Sequence, residues 1–338
     1  MVTIVLTARI ALSRVRWQAA VGLAAIGALL LAFGAGPFLA GLRSIDPVLV
    51  PAALALAAGS TLCAAYRWRL VAVGMGVPMS LARAVRAYYA SQVLNATLPG
   101  GLLGDVHRGL THGRGEYPVG IGLRSVAWER LFGQAVQVAL TGAALLLVPS
   151  PLRPPGTMGS AIGASLAAVV LLAAVLRGRG RQRRRPPAGR LSSVLAGRPA
   201  HAPAGRPARA PLRVIRILTA DRRAIASSPR ALPRIVLASV GAVGGHVTLF
   251  VFCARSVDPA LPITAIIPLA LLVLTIGALP LSLVGWGPRE GAAAWAFGMA
   301  GLGAGHGISV SVAYGVLGLV GVLPGALVLL ADHWTSHG

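Results

Sequence analysis

Two stretches of this chain repeat one spacing of residues suited to chemistry away from water. They read Leu98-Pro99, four residues, Gly104, three residues, Arg108, and Leu279-Pro280, four residues, Gly285, three residues, Arg289. In each copy a proline break frees backbone amides and carbonyls close to an arginine, and hydrocarbon tolerates such groups only where they face protein or a water-filled cavity. Around the first copy stand Tyr88, Tyr89, Ser91, Gln92 and Asn95, then Pro99, Gly100 and Gly101, then Asp105, His107 and Arg108. Glu129 and Arg130 follow inside an apolar segment, and the second copy runs through Gly285, Trp286, Gly287, Pro288, Arg289, Glu290 and Gly291. Arg108, Arg130 and Arg289 would attract a phosphate, while Asp105, Glu129 and Glu290 would balance them or meet a cationic headgroup. An ionised side chain costs on the order of 3 kcal/mol at a bilayer centre, so such residues pair or face a cavity. For Glu129 and Arg130 an ion pair with Asp105, Arg108 or each other stands beside direct ligand contact. For the second copy a capped turn stands beside an anion site at the helix start. The candidate binding set is Gln92, Asn95, Pro99, Gly100, Gly104, Asp105, Arg108, Glu129, Arg130, Pro280, Gly285, Gly287, Arg289 and Glu290.

The elements that must position these residues are membrane-length helices. The chain is 56% hydrophobic and 12% charged, with a mean hydropathy of +0.76, well outside the composition of a soluble domain. Apolar segments lie near 17–36, 47–66, 84–103, 120–148, 158–176, 232–254, 262–284 and 308–331, with a shorter one at 291–304. The expected fold is all-α, with seven to nine membrane-embedded helices, broken or re-entrant segments among them, and an inverted repeat. The first segment is read as an uncleaved span and not as a secretory signal. Its halves are residues 1–176 and 232–338, joined by a Pro-, Gly- and Arg-rich loop over 177–231 in which Asp221 is the only acid. Such a loop has little to bury and is expected to be loosely structured and, by its arginines, cytoplasmic. Arg67, Arg69, Arg83, Arg86, Arg108 and Arg114 mark the same side, which places the N-terminus inside. The segment over 84–103 then starts and ends inside, and the segment over 262–279 starts outside, so the two motif copies enter from opposite faces.

Three groups of these residues resemble the membrane region of the lysylphosphatidylglycerol synthases, the flippase-like domain family: Tyr89 to Arg108, Ser125 to Arg130, and Gly277 to Gly291. The resembling features are a polar helix ending in Leu98-Pro99 with Gly104 and Asp105 after it, Glu129-Arg130 on the next span, and a glycine-rich turn ending in Arg289-Glu290-Gly291. The resemblance implies lipid handling. In the larger relatives, the multiple peptide resistance factors, this region moves aminoacylated phosphatidylglycerol between leaflets and a separate domain makes that lipid. With the sequence ending at Gly338, no such synthase domain is expected here.

The leading functional expectation is a flippase or lipid-linked substrate transporter in a bacterial cytoplasmic membrane. Its partners would be anionic or aminoacylated phospholipids or a polyprenyl phosphate-linked substrate, together with a lipid-synthesising enzyme. A membrane-embedded transferase, with Asp105 or Glu129 as base, or an accessory to one, is the alternative, and a non-transporting scaffold is a third. No Ser/His/Asp set, nucleotide loop or metal-ligand cluster is legible, so no enzyme activity, cofactor or metal is expected. The basic loop lacks aromatic residues for stacking, so no nucleic-acid partner is expected either. Cys63 and Cys253 lie in apolar stretches and read as small hydrophobes.

Overall fold

The structure, a computed structural model, describes residues 23–98, 101–112, 117–148, 210–278 and 286–335. They form an all-α assembly: α1 (Leu23–Phe33), α2 (Gly36–Arg43), α3 (Leu49–Gly74), α4 (Leu81–Thr97), α5 (Leu103–His112), α6 (Val119–Leu147), α7 (Ala210–Ile225), α8 (Ala231–Val257), α9 (Ile263–Gly277), α10 (Pro288–Met299), α11 (Ala304–Val322) and α12 (Pro324–Thr335). Among the described residues four helices are long and apolar enough to cross a membrane: α3, α6, α8, and α11 running on through α12 to Ala331. At 26 to 29 residues each, they reach about 40 Å, more than the roughly 30 Å of a bilayer's hydrocarbon. The expected segment at 158–176 lies outside the described residues.

Local chemistry sets the helix boundaries. Ser80 caps α4 by accepting from the Arg83 amide at 3.2 Å. Extended Pro118 and Pro262 stand just before α6 and α9, and Pro288 opens α10 after Gly287 at φ 103°. α1, the described part of the first apolar segment, ends where that segment was expected to end and turns by 100° into α2. Gly34 adopts φ 69° there and Pro37 starts the next helix, a combination that turns a chain sharply.

A difference from the sequence reading concerns the basic loop. Residues 210–225 form α7, although the whole of 177–231 reads as loosely structured. The reason is its spacing: Ile225 is buried against Val71, Trp128, Leu232 and Ile235, and Asp221 pairs with Arg124 of α6 at 2.7 Å. A few anchors on one face suffice to hold an otherwise polar helix.

The organisation of the helices follows the duplicated motif. From Arg108 to Arg289 the shift is 289 − 108 = 181 residues. The same shift carries the start of α3 to within one residue of the start of α8, and both ends of α4 to within one residue of those of α9. The packing repeats too: α4 folds against α5 and α5 against α6, as α9 folds against α10 and α10 against α11. Likewise α4 packs on α12, the end of its span, as α9 packs on the end of α6, where Thr141 meets Thr275 at 2.8 Å.

The two halves are antiparallel. Along the α3–α8 contact Ser60 lies against Gly245, Cys63 against Gly241, and Arg67 reaches Ser239 at 3.2 Å, so numbers fall on one helix as they rise on the other. The shift sends Ser60 to 241 and Gly245 to 64, turning one contact into its neighbour, as a two-fold axis through the crossing requires. Consequently α4–α5 is a hairpin entering from the side where α3 ends, and α9–α10 is a hairpin entering from the side where α3 begins. The opposite entry expected from charge and parity is present in the packing.

Candidate functional site

The first hairpin closes through backbone contact. Gly104 sits so near the Ser91 carbonyl that an added Cβ would lie 2.0 Å from its oxygen, and the Gly104 amide donates to Asn95 Oδ1 at 2.8 Å. This approach brings Asp105, one residue on, under α4. Its Oδ1 accepts from Ser91 at 3.3 Å and from Arg108 Nε at 2.9 Å. Its Oδ2 accepts from Asn95 at 3.2 Å and pairs with Arg130.

Glu129, wholly buried on α6, is the second node. Its Oε2 accepts from Arg108 Nη2 at 2.7 Å, and its Oε1 accepts from Arg67 Nε at 2.9 Å, from Arg67 Nη2, and from the Tyr88 hydroxyl at 3.3 Å. Of the pairings left open by the sequence, Glu129 takes Arg108 and Arg130 takes Asp105. Glu129 and Arg130 do not pair with each other: Glu129 takes Arg67 and Arg108, and Arg130 takes Asp105. Arg108 is 1% exposed, with its guanidinium carbon 4.3 Å from the Tyr88 ring centre and 4.8 Å from that of Trp68.

The second copy builds a matching arrangement. Glu290, also wholly buried, accepts from Arg289 Nη2 at 2.6 Å and Ser311 at 2.9 Å, and its other oxygen accepts from the Gly287 amide at 2.7 Å. Glu290 thus caps its own helix, the capped-turn alternative for this copy. The Arg289 guanidinium carbon lies 5.4 Å from the Trp286 ring centre and 5.2 Å from that of Tyr314. In both halves the motif arginine stands between two aromatic rings and a buried carboxylate, where cation–π attraction and ion pairing add.

Between the halves lies a cavity of about 330 Å³. It spans the α3–α8 crossing. Ser60, Ala64 and Arg67 line it from α3, and Ala242 and His246 from α8. Tyr88 and Gln92 come from α4, and Arg130, Gln134 and Gln137 from α6. Gly277, Arg289 and Tyr314 come from the second half. Of the expected set, Gln92, Glu129, Arg130 and Arg289 reach the cavity. Asn95, Gly104, Asp105, Arg108, Gly287 and Glu290 stand behind it as supports. Pro99, Gly100, Pro280 and Gly285 lie outside the described residues.

Arg67 is the main correction to the sequence reading. Taken as a loop charge marking a membrane side, it is instead a buried residue of α3 and a cavity wall, because α3 runs eight residues past the apolar segment. Arg108, read the same way, is interior as well. The signal for Arg67 was present: Ser60, Ala64 and Arg67 fall at i, i+4 and i+7, one helical face. Arg130, Gln134 and Gln137 repeat that spacing on α6. His246, which meets the Tyr314 hydroxyl at 3.0 Å, had no such companion in sequence. Among the described residues no group of His, Cys, Asp and Glu could hold a metal ion.

The family model of the lysylphosphatidylglycerol synthase TM region matches residues 10–325, nearly the whole chain, and the chain belongs to that family. No curated protein matches it. Family and helices together make it a polytopic membrane protein with a lipid-related setting.

Proposed function

We propose that this member of the lysylphosphatidylglycerol synthase transmembrane-region family moves a lipid or lipid-linked headgroup between leaflets through the central cavity. The observation that carries the reading is the position of that cavity. It lies where two antiparallel halves cross, and each half contributes a hairpin from a different side, the placement expected of a binding site in an inverted-repeat transporter. A volume of about 330 Å³ stands at the small end of the roughly 300–1,000 Å³ typical of ligand pockets. It suits a headgroup whose acyl chains remain in the bilayer. The polypeptide acts as a carrier and not as an enzyme in this reading. Its membrane is the bacterial cytoplasmic membrane, with the N-terminus and the 177–231 segment inside and a lipid-synthesising enzyme as partner. Reconstitution tests it. Vesicles containing the protein should move a fluorescent phospholipid from the inner to the outer leaflet faster than empty vesicles, and Gln134→Trp, which fills the cavity, should slow that movement to the empty-vesicle rate. Product formed from a lipid-linked donor without lipid movement would replace the carrier by a transferase.

A further inference from the structure

We infer that the carboxamide wall of the cavity, built by Gln92, Gln134 and Gln137, selects a phosphodiester headgroup that bears hydroxyls, a polyol or a sugar. The inference rests on the headgroup-carrier reading. Arg67 and Arg130 line the cavity from the first half and Arg289 from the second, and any phosphodiester meets guanidiniums alike. The uncharged groups between them are what can tell one phosphodiester from another.

The row starts on α6. Arg130, Gln134, Gln137 and Thr141 fall at i, i+4, i+7 and i+11, one face of the helix. At its two ends the row is tied down: Arg130 pairs with Asp105, and Thr141 bonds the Leu271 carbonyl at 3.2 Å and Thr275 at 2.8 Å. The two glutamines between them line the cavity, and among the described residues their side chains have no hydrogen-bond partner. Gln92 of α4 accepts from Thr61 at 3.2 Å through its oxygen, which leaves its NH2 group unused. Ser60 Oγ, on the same wall, is buried without a partner. These groups are not part of what repeats. The 181-residue shift carries Gln134 to Gly315, Gln137 to Gly318, Gln92 to Val273 and Ser60 to Gly241, so the second half packs without them. Gly315 instead makes room for Arg289, whose Nη2 would lie 2.3 Å from a Cβ there.

A carboxamide donates and accepts at once. Phosphate oxygens only accept, so they leave the carbonyls of Gln134 and Gln137 unmet. An alkyl headgroup that displaces water from this wall leaves both halves of each amide unmet, and each such group costs free energy. A hydroxyl gives and takes, and it meets a carboxamide whichever way the amide is turned. From Arg130 to Gln137 the helix rises about 10 Å, enough for a phosphate at the arginine and a three-carbon polyol along the amides. A site built to hydrogen-bond hydroxyls rejects an analogue lacking them, because its own polar groups are then left unpaired. An aminoacyl ester on one hydroxyl of a glycerol leaves the other free, so the class takes in headgroups with and without that ester.

The experiment uses the purified full chain in detergent and native mass spectrometry with two lipids of one acyl composition. Phosphatidylglycerol carries two headgroup hydroxyls; phosphatidylpropanol has the same charge and headgroup length and none. Phosphatidylglycerol should bind about ten-fold tighter, the size of one or two neutral hydrogen bonds. Gln134→Met with Gln137→Met, close in volume, should bring phosphatidylglycerol down to phosphatidylpropanol and leave the latter at or above its parent level, which also reports an intact fold. Each single variant should fall between, so the parent comparison and the single variants decide should the double variant not fold. Equal binding of the two lipids by the parent chain would overturn the proposal. So would a preference that survives the double variant, or loss of both lipids from a variant with the parent's melting temperature. Glycerophosphoglycerol, the headgroup without acyl chains, should bind more weakly than the lipid; binding as tight would reassign the wall to a soluble polyol phosphate and overturn the proposal too. Vesicle assays with both lipids separate this from the carrier reading. Equal binding with movement of both lipids would remove the hydroxyl selectivity and leave transport standing, whereas selective binding with no movement of either would remove transport and leave the selectivity.

Discussion

Removing the charge of Glu129 tests the core of the site most directly. Glu129 is wholly buried and receives Arg67 and Arg108 on separate oxygens. Glu129→Gln keeps the shape but leaves both guanidiniums facing a neutral amide, with Asp105 as the remaining acid of the first-half cluster. Loss of one partner from a buried pair costs about 3–5 kcal/mol, mostly because the other charge is left uncompensated. At roughly 2 °C per kcal/mol for a large domain, the melting temperature should fall by about 6–10 °C. Because membrane proteins often unfold irreversibly, the comparison should use one scan rate, or the unfolding rate at one temperature. Arg67→Gln combined with Glu129→Gln should recover part of the loss, a coupling of about 1–3 kcal/mol expected for residues in direct contact. A Glu129→Gln protein as stable as the parent would refute the reasoning, and so would a double variant whose loss equals the sum of the two single losses.

Four further outcomes follow from the packing. In a Cys253→Ala background Gly241→Cys should form a disulfide with native Cys63, because a Cβ at 241 would lie 2.9 Å from the Cys63 sulfur; retention of both maleimide-reactive thiols after mild oxidation would contradict the antiparallel α3–α8 crossing. Cysteines at Ser80 and Thr264, at the starts of α4 and α9, should label from opposite faces of intact membranes in a background lacking Cys63 and Cys253, and labelling of both from one face would contradict the opposed hairpins. Gly104→Ala should prevent the first hairpin from closing, since its Cβ would meet the Ser91 carbonyl oxygen at 2.0 Å, read as a large loss of folded yield against an Ala at open Gly291. Asp221→Asn should cost under about 1 kcal/mol, because its partner Arg124 is 34% exposed and screened; a drop in melting temperature as large as that of Glu129→Gln would show α7 to be held by that pair and not by Ile225.

Much of this architecture is legible in the amino-acid order, for definite reasons. Leu98-Pro99 and Leu279-Pro280 interrupt apolar segments, and hydrocarbon permits few arrangements of a broken helix, so the two hairpins and their opposite entry could be read from breaks and arginine placement. Asp105, Glu129 and Glu290 stood out because acids in apolar segments have few places to go. Arg67 did not, since it closes an apolar window and a charge at a window edge is indistinguishable from a loop charge until the true helix end is known. The helix at Ala210–Ile225 was missed for a related reason: it is held by packing against Gly74 of α3, far along the chain, while the composition around it is that of a loop.

The two-fold relation between the halves has a consequence for how a guest can lie in the cavity. On a true diad, any ligand without its own symmetry has two poses of equal energy, and no pose is preferred. Here the helix order follows the diad and the charges do not: the 181-residue shift carries Arg67 to Thr248 and Trp68 to Leu249, and the motif arginine meets two acids in one half, from α5 and α6, and one in the other, from α10. The helices thus keep the mechanical equivalence of the two sides, while the side chains lift the degeneracy and give the guest a head and a tail.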